Sequence, residues 1–111
     1  MEEPNMLKKK YIKSRKITKI TFEVPRAELP EGLKPIQLAV AGDFNDWEPD
    51  STPMKLARGG LFRAQIEVEP GSRHHFRYVA DGQHWFNDWH ADAYSTNSFG
   101  EENSVLIVAE Q

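Results

Sequence analysis

The sequence contains no cysteine, which excludes disulfides and thiolate metal sites. No apolar run approaches the roughly 20 residues that a membrane-spanning helix needs, so no membrane partner is expected. The N-terminal stretch MEEPNMLKKKYIKSRK is charged throughout and has no apolar core of the secretory kind. A soluble, cytoplasmic protein is expected. There is no P-loop, no G-x-S-x-G and no HExxH-type pattern. Internal repeats and low-complexity tracts are absent too. No segment carries a sustained i, i+3, i+4 apolar stripe, and only Met6 to Arg15 suits a short helix.

What is there is a chain of 111 residues with a net charge of −3, a length that suits one domain. The charge is unevenly spread. Residues 1–26 hold 8 of the 14 basic residues and 3 of the 17 acidic ones. The body is therefore acidic, which argues against a nucleic-acid ligand. Residues 1–16 read as a basic N-terminal segment, a solvated tail leading into the first strand, with contact to an anionic partner as the other reading. Residues 17–111 read as one β domain.

A period of two dominates that domain. Ile20, Phe22 and Val24 alternate with Thr21 and Glu23, and Pro25 closes the strand. Ile36 to Ala41 reads as a more buried strand, and Met54 to Leu56 as a short one. Phe62, Ala64, Ile66 and Val68 alternate with charged and polar residues. After the Pro70-Gly71 turn, His74 to Ala80 has Phe76, Tyr78 and Ala80 on one face and His75, Arg77 and Val79 on the other. Asp81-Gly82 signals a hairpin, Trp85 lies on the returning strand, and Ser104 to Ala109 is the last. About seven short strands with turns between them predict an all-β, immunoglobulin-like sandwich.

Catalytic and metal readings find little support. Asp88 and Asp92 are the paired carboxylates a glycosidase would need, but Asp88 reads better as a loop-bonding residue. His74, His75, His84 and His90 lack the pattern of a zinc site, and no metal or cofactor is expected. The aromatics say more. Trp47 ends the turn-rich run GDFNDW, Trp85 follows the Asp-Gly turn, and Trp89, Phe44, Phe86, Tyr94 and Phe99 lie in or beside loops. Asn45, Asp46, Asn87, Asp88, Asn97, Ser98 and Asn103 separate them. Either these rings close a small core, or they form a face bordered by amides. The second arrangement matches a sugar, with C–H groups on its face and hydroxyls on its edge.

Six stretches fall in a familiar order: GDFNDW, PMKL (53–56), GLFRAQIEVEPG (60–71), HFRYVADGQHW (75–85), NDWHADAY (87–94) and FGEENSVLIV (99–108). Together they resemble the family-48 carbohydrate-binding modules, across roughly residues 17–109. That group includes the early-set domain of isoamylases and branching enzymes and the glycogen-binding domain of the AMP-activated protein kinase β subunit. The likeness is strongest to small stand-alone bacterial members.

The resemblance implies an early-set β-sandwich that binds α-1,4-glucan polysaccharide or oligosaccharide without catalysis. It implies sugar contacts from Trp47, from Trp85 or His84 after the DG turn, from Arg77 on the preceding strand, and from Phe99 and Asn103. Two departures stand out. Kinase-type members have DG-x-W where this chain has DG-x-x-W, and Glu101 and Glu102 replace small polar residues. A two-residue turn would put His84 on the face of Arg77 and send Trp85 to that of Tyr78. A three-residue loop or bulge would pair Ala80 with His84 and Val79 with Trp85, bringing Trp85 to Arg77. The second is favoured, because Phe76 and Tyr78 already supply the core. Alternative roles are an interaction or regulatory module docking on a glucan-metabolising enzyme or kinase-like protein, and an accessory domain of an α-amylase-type hydrolase.

Overall fold

The computed structural model describes residues 7–30, 32, 34–35 and 37–111. Among them nine strands form: β1 (Leu7–Ile12), β2 (Ile17–Pro25), β3 (Leu38–Gly42), β4 (Pro53–Ala57), β5 (Leu61–Val68), β6 (Arg73–Ala80), β7 (His84–Phe86), β8 (Ala93–Thr96) and β9 (Glu102–Ile107). All pairings are antiparallel, in the order β1-β2-β5-β4-β3-β6-β9-β8, with β7 also on β6. Strand β4 turns the corner. Its first residues pair with β3 and its last three with β5. The ladder thus curls into two layers, β1-β2-β5-β4 and β3-β6-β9-β8, closed on a common core.

The alternation in the sequence builds that core. Ile20, Phe22 and Val24 from one layer meet Leu38, Val40, Phe76, Tyr78 and Leu106 from the other. At its centre Phe22 packs edge-on against Phe76, 5.1 Å between ring centres, and against Tyr78 at 6.4 Å. Such T-shaped contacts set the positive ring edge on the negative face of its neighbour.

Two strands exceed the expected seven. Leu7–Ile12 is strand β1, not the short helix that Met6 to Arg15 suggests (Met6 lies outside the described residues). Leu7 enters the core while Lys8, Lys9 and Lys10 stay exposed. The backbone of β1 pairs in register with β2, Leu7 opposite Phe22. Lysines on an outer strand discourage pairing with another chain. Strand β8 forms within the stretch read as loop. The expected strand Ile36 to Ala41 is observed as Leu38–Gly42, with Ile36 outside the described residues. The final strand ends at Ile107 rather than Ala109.

Among the described residues the helical structure is limited to two short 3-10 turns. No helix there is long and apolar enough to cross a membrane.

Candidate functional site

Strand β3 is buried on both faces. Leu38 and Val40 enter the core, whereas Ala39 and Ala41 face outward with Val79 and are covered by Trp47. The small alanines let the indole lie close to the sheet. The run GDFNDW delivers it there. Gly42 has no room for a side chain: a Cβ would collide with the His75 carbonyl oxygen and the Phe44 ring. Phe44 anchors the loop on Phe22, at 5.9 Å between ring centres. The Asn45 side chain accepts from Gly42 N at 3.0 Å and donates to Val40 O at 3.1 Å and Thr52 Oγ1 at 2.9 Å. Asp43 ties the loop to β6, accepting from His75 N at 2.9 Å and lying 3.0 Å from His74 Nδ1.

Asp46 and Trp47 then take left-handed backbone angles, φ 57 and 58. For a residue as bulky as Trp that conformation is strained, and strain of this kind gathers at functional sites. It is held by Trp47 N donating to Gly42 O at 2.8 Å.

The second indole arrives from the β6–β7 hairpin. Asp81 and Gly82 have positive φ, and Gln83 N donates to Ala80 O at 3.0 Å, as in a type I′ turn. Gln83 is an extra residue, because Ala80 pairs with His84 and Val79 with Trp85. Trp85 therefore shares the outer face with Arg77 and Val79. The exposed His84 sits opposite Ala80, whose neighbours along that face belong to the core, and does not line the site.

Arg77 lies between the two indoles. Its guanidinium carbon is 6.0 Å from the ring centre of Trp47 and 5.6 Å from that of Trp85. Both are within cation–π range. Opposite Arg77 on β3 is Ala41, small enough to admit the side chain. Asn103 enters from β9. Phe76 pairs with Ser104, so Arg77 and Asn103 are the next residues along their strands. Arg77 Nε and Asn103 Oδ1 are buried without a hydrogen-bond partner, a state that costs about 1–3 kcal/mol per group and asks for a functional reason.

The loop between β8 and β9 forms the far wall. Asn97 organises it: its Oδ1 accepts from Phe99 N at 2.9 Å and from Glu101 N at 3.0 Å. Phe99 is left 85% exposed. Glu101 points back to Arg77, with Oε1 3.8 Å from Nη2. Together Trp47, Arg77, Trp85, Asn97, Ser98, Phe99, Glu101 and Asn103 line an open hollow of about 620 Å³. Of the six residues expected from sequence, five meet there and His84 does not. Asn97, Ser98 and Glu101 complete the lining. Asn97-Ser98-Phe99-Gly100 carried turn chemistry, but nothing local in the sequence brought Glu101 to Arg77.

Asp88 lies behind this face. It is buried, accepting from Tyr78 Oη at 2.5 Å and from His90 N at 2.7 Å. The latter is the loop-bonding role expected of it. Burial raises its pKa above the ordinary carboxylate value, against the hydrogen bonds from Tyr78 and His90. Burial, with the Asp88 carboxylate beside it, also pushes the Tyr78 phenol well up. Asp88 N donates to Ser104 Oγ, which donates to Asn87 Oδ1, and Asn87 Nδ2 donates to Glu102 O. This network closes the seam where the edge of β6 passes from β7 to β9. Asp92 is engaged elsewhere, by Lys9 Nζ at 2.6 Å and Ile107 N at 2.8 Å. Among the described residues no group of three or more His, Asp or Glu side chains is arranged to hold a metal ion.

An outward aromatic surface, carried on a β-sandwich and floored by an arginine and an amide, is an arrangement suited to a carbohydrate-binding module. Residues 34–111 match the family described as the glycogen recognition site of AMP-activated protein kinase. The chain belongs to that family. It is also 41% identical over 49 residues to the 1,4-alpha-glucan branching enzyme GlgB 2 in each of two strains of Xanthomonas campestris pv. campestris. Those alignments cover 42% of this chain and 7% of the enzyme, so the chain corresponds to a small part of these relatives.

Proposed function

We propose that this protein binds α-1,4-glucan chains of the glycogen or starch type, without catalysis, in the hollow on the outer face of β3, β6 and β9. The reading fits the expected cytoplasmic setting. The observation that carries it is the gathering of Trp47 and Trp85 about one guanidinium, 6.0 and 5.6 Å from their ring centres. Two flat apolar surfaces suit the C–H faces of successive glucose rings. Arg77 offers donors to hydroxyls between them, and Asn103 lies beside it in the floor of the hollow. Phe99 adds a third apolar surface from the loop side. Ordering a flexible glucan opposes binding, so affinity is modest. The family match supports the ligand class.

Retardation of the protein in a native gel containing glycogen tests the reading. Slowed migration, restored by Trp47→Ala, is expected. Unchanged mobility of the parent protein would contradict it. Incubation with glycogen should release no reducing ends. Association with a glucan-metabolising enzyme is a second reading, favoured by the partial likeness to the branching enzymes. A kinase-like partner rests on the family description alone.

A further inference from the structure

Among the described residues that line the hollow there is one cation, Arg77, and one anion, Glu101. The distance between them, 3.8 Å from Nη2 to Oε1, is within Coulombic reach but too long for a hydrogen bond. Both ends keep unspent capacity. The guanidinium has donors to offer, and the carboxylate only accepts. The gap is of the kind a bridging hydroxyl or water fills. Glu101 is held toward the hollow by its own backbone, since its N–H donates to Asn97 Oδ1 and its carbonyl accepts from Asn97 N at 2.7 Å.

Resting on the glucan-binding reading, we propose that Glu101 sets the charge specificity of the site. Adjacent hydroxyls of a pyranose bridge the pair, one accepting from Arg77 and its neighbour donating to Glu101. The carboxylate cancels the charge that Arg77 would otherwise present. The hollow is then tuned to neutral glucan and discriminates against chains carrying phosphomonoesters, which an unpaired arginine between two indoles would attract. Discrimination here comes from a repulsive group as well as an attractive one. Removing the charge while keeping the shape and the acceptor is the critical change.

The experiment compares two probes, an unphosphorylated maltooligosaccharide and the same oligomer carrying one 6-phosphate group. Each is titrated into the parent protein, Glu101→Gln and Glu101→Ala at low salt. The parent should favour the neutral oligomer. Glu101→Gln should weaken that oligomer slightly, as a neutral acceptor replaces a charged one. It should also shift the neutral-to-phosphorylated affinity ratio about three- to tenfold toward the phosphorylated probe, and added salt should shrink the shift. Glu101→Ala should weaken the neutral oligomer further, because the acceptor is gone. A ratio unchanged between parent and Glu101→Gln, with neutral binding intact, would overturn the proposal and leave the glucan reading standing. No binding of the neutral oligomer by the parent would overturn both.

Discussion

Trp85 stands opposite Val79 across the β6–β7 hairpin, although three residues separate Ala80 from its partner His84. Asp81 and Gly82 already have the positive φ values of a two-residue turn, and Gln83 is absorbed beyond them. Deleting Gln83 should therefore tighten the hairpin and keep Trp85 opposite Val79. Glucan affinity should stay within about twofold. Deleting Gln83 and His84 together would set Trp85 opposite Ala80 and turn the indole off the outer face. Affinity should then fall about tenfold or more, measured by titration with a maltooligosaccharide.

Gly42 is expected to tolerate no side chain, because its Cβ would meet the His75 carbonyl and the Phe44 ring. Gly42→Ala should lower stability by about 1–3 kcal/mol, the usual cost of overpacking. Urea denaturation would measure it. Because this loop carries Trp47, glucan affinity should fall with it.

Glu23 joins three strands, with Lys8 Nζ at 3.0 Å and Arg63 Nη2 at 2.7 Å from its carboxylate. Burial raises its pKa, but the hydrogen bonds and charges of Lys8 and Arg63 outweigh that, and the net direction is down. The unfolded chain then binds the proton more readily than the folded one. The stabilisation is present at neutral pH and is lost as pH falls from the ordinary carboxylate range through the folded value. Glu23→Gln should cost about 1–2 kcal/mol at pH 7. The deficit should narrow as pH falls below the ordinary carboxylate range, in urea melts taken across that range.

Tyr78→Phe should also show a deficit that narrows in acid, although Asp88 titrates with the opposite sign to Glu23. Asp88 has a raised pKa, so the folded state holds its proton more tightly than the unfolded one. Its contribution therefore disfavours folding as pH rises through that value. Tyr78→Phe removes the phenol that donates to Asp88 Oδ2 and should raise the carboxyl further. The loss should be about 2 kcal/mol at neutral pH and smaller in acid, where Asp88 is protonated. Urea denaturation at pH 7 and again below the ordinary carboxylate range would compare the ionised and protonated states of Asp88.

The core was legible because its strands obey one simple period. Phe62, Ala64 and Val68 against Arg63, Gln65 and Glu67 leave no other reading. Strand β1 was not, because three consecutive lysines hide any alternation, and its order comes from backbone pairing with β2 across a four-residue connection and from Leu7 reaching the core. Strand β8 is four residues of mixed character between turns. In the site, the indoles and Arg77 were readable from turn chemistry, strand parity and family likeness together. Glu101 was not. Its approach to Arg77 follows from the β6–β9 register and the Asn97 loop, which no local pattern encodes.

The three tryptophans allow glucan binding in the hollow to be tested in one titration. Trp47 and Trp85 flank Arg77, whereas Trp89 packs on Phe86 at 5.7 Å and does not line the hollow. Their indole N–H signals can be followed by NMR as maltoheptaose is added. The Trp47 and Trp85 signals should shift together along one binding curve while that of Trp89 stays in place. Movement of Trp89 alone, or of none of the three, would contradict it.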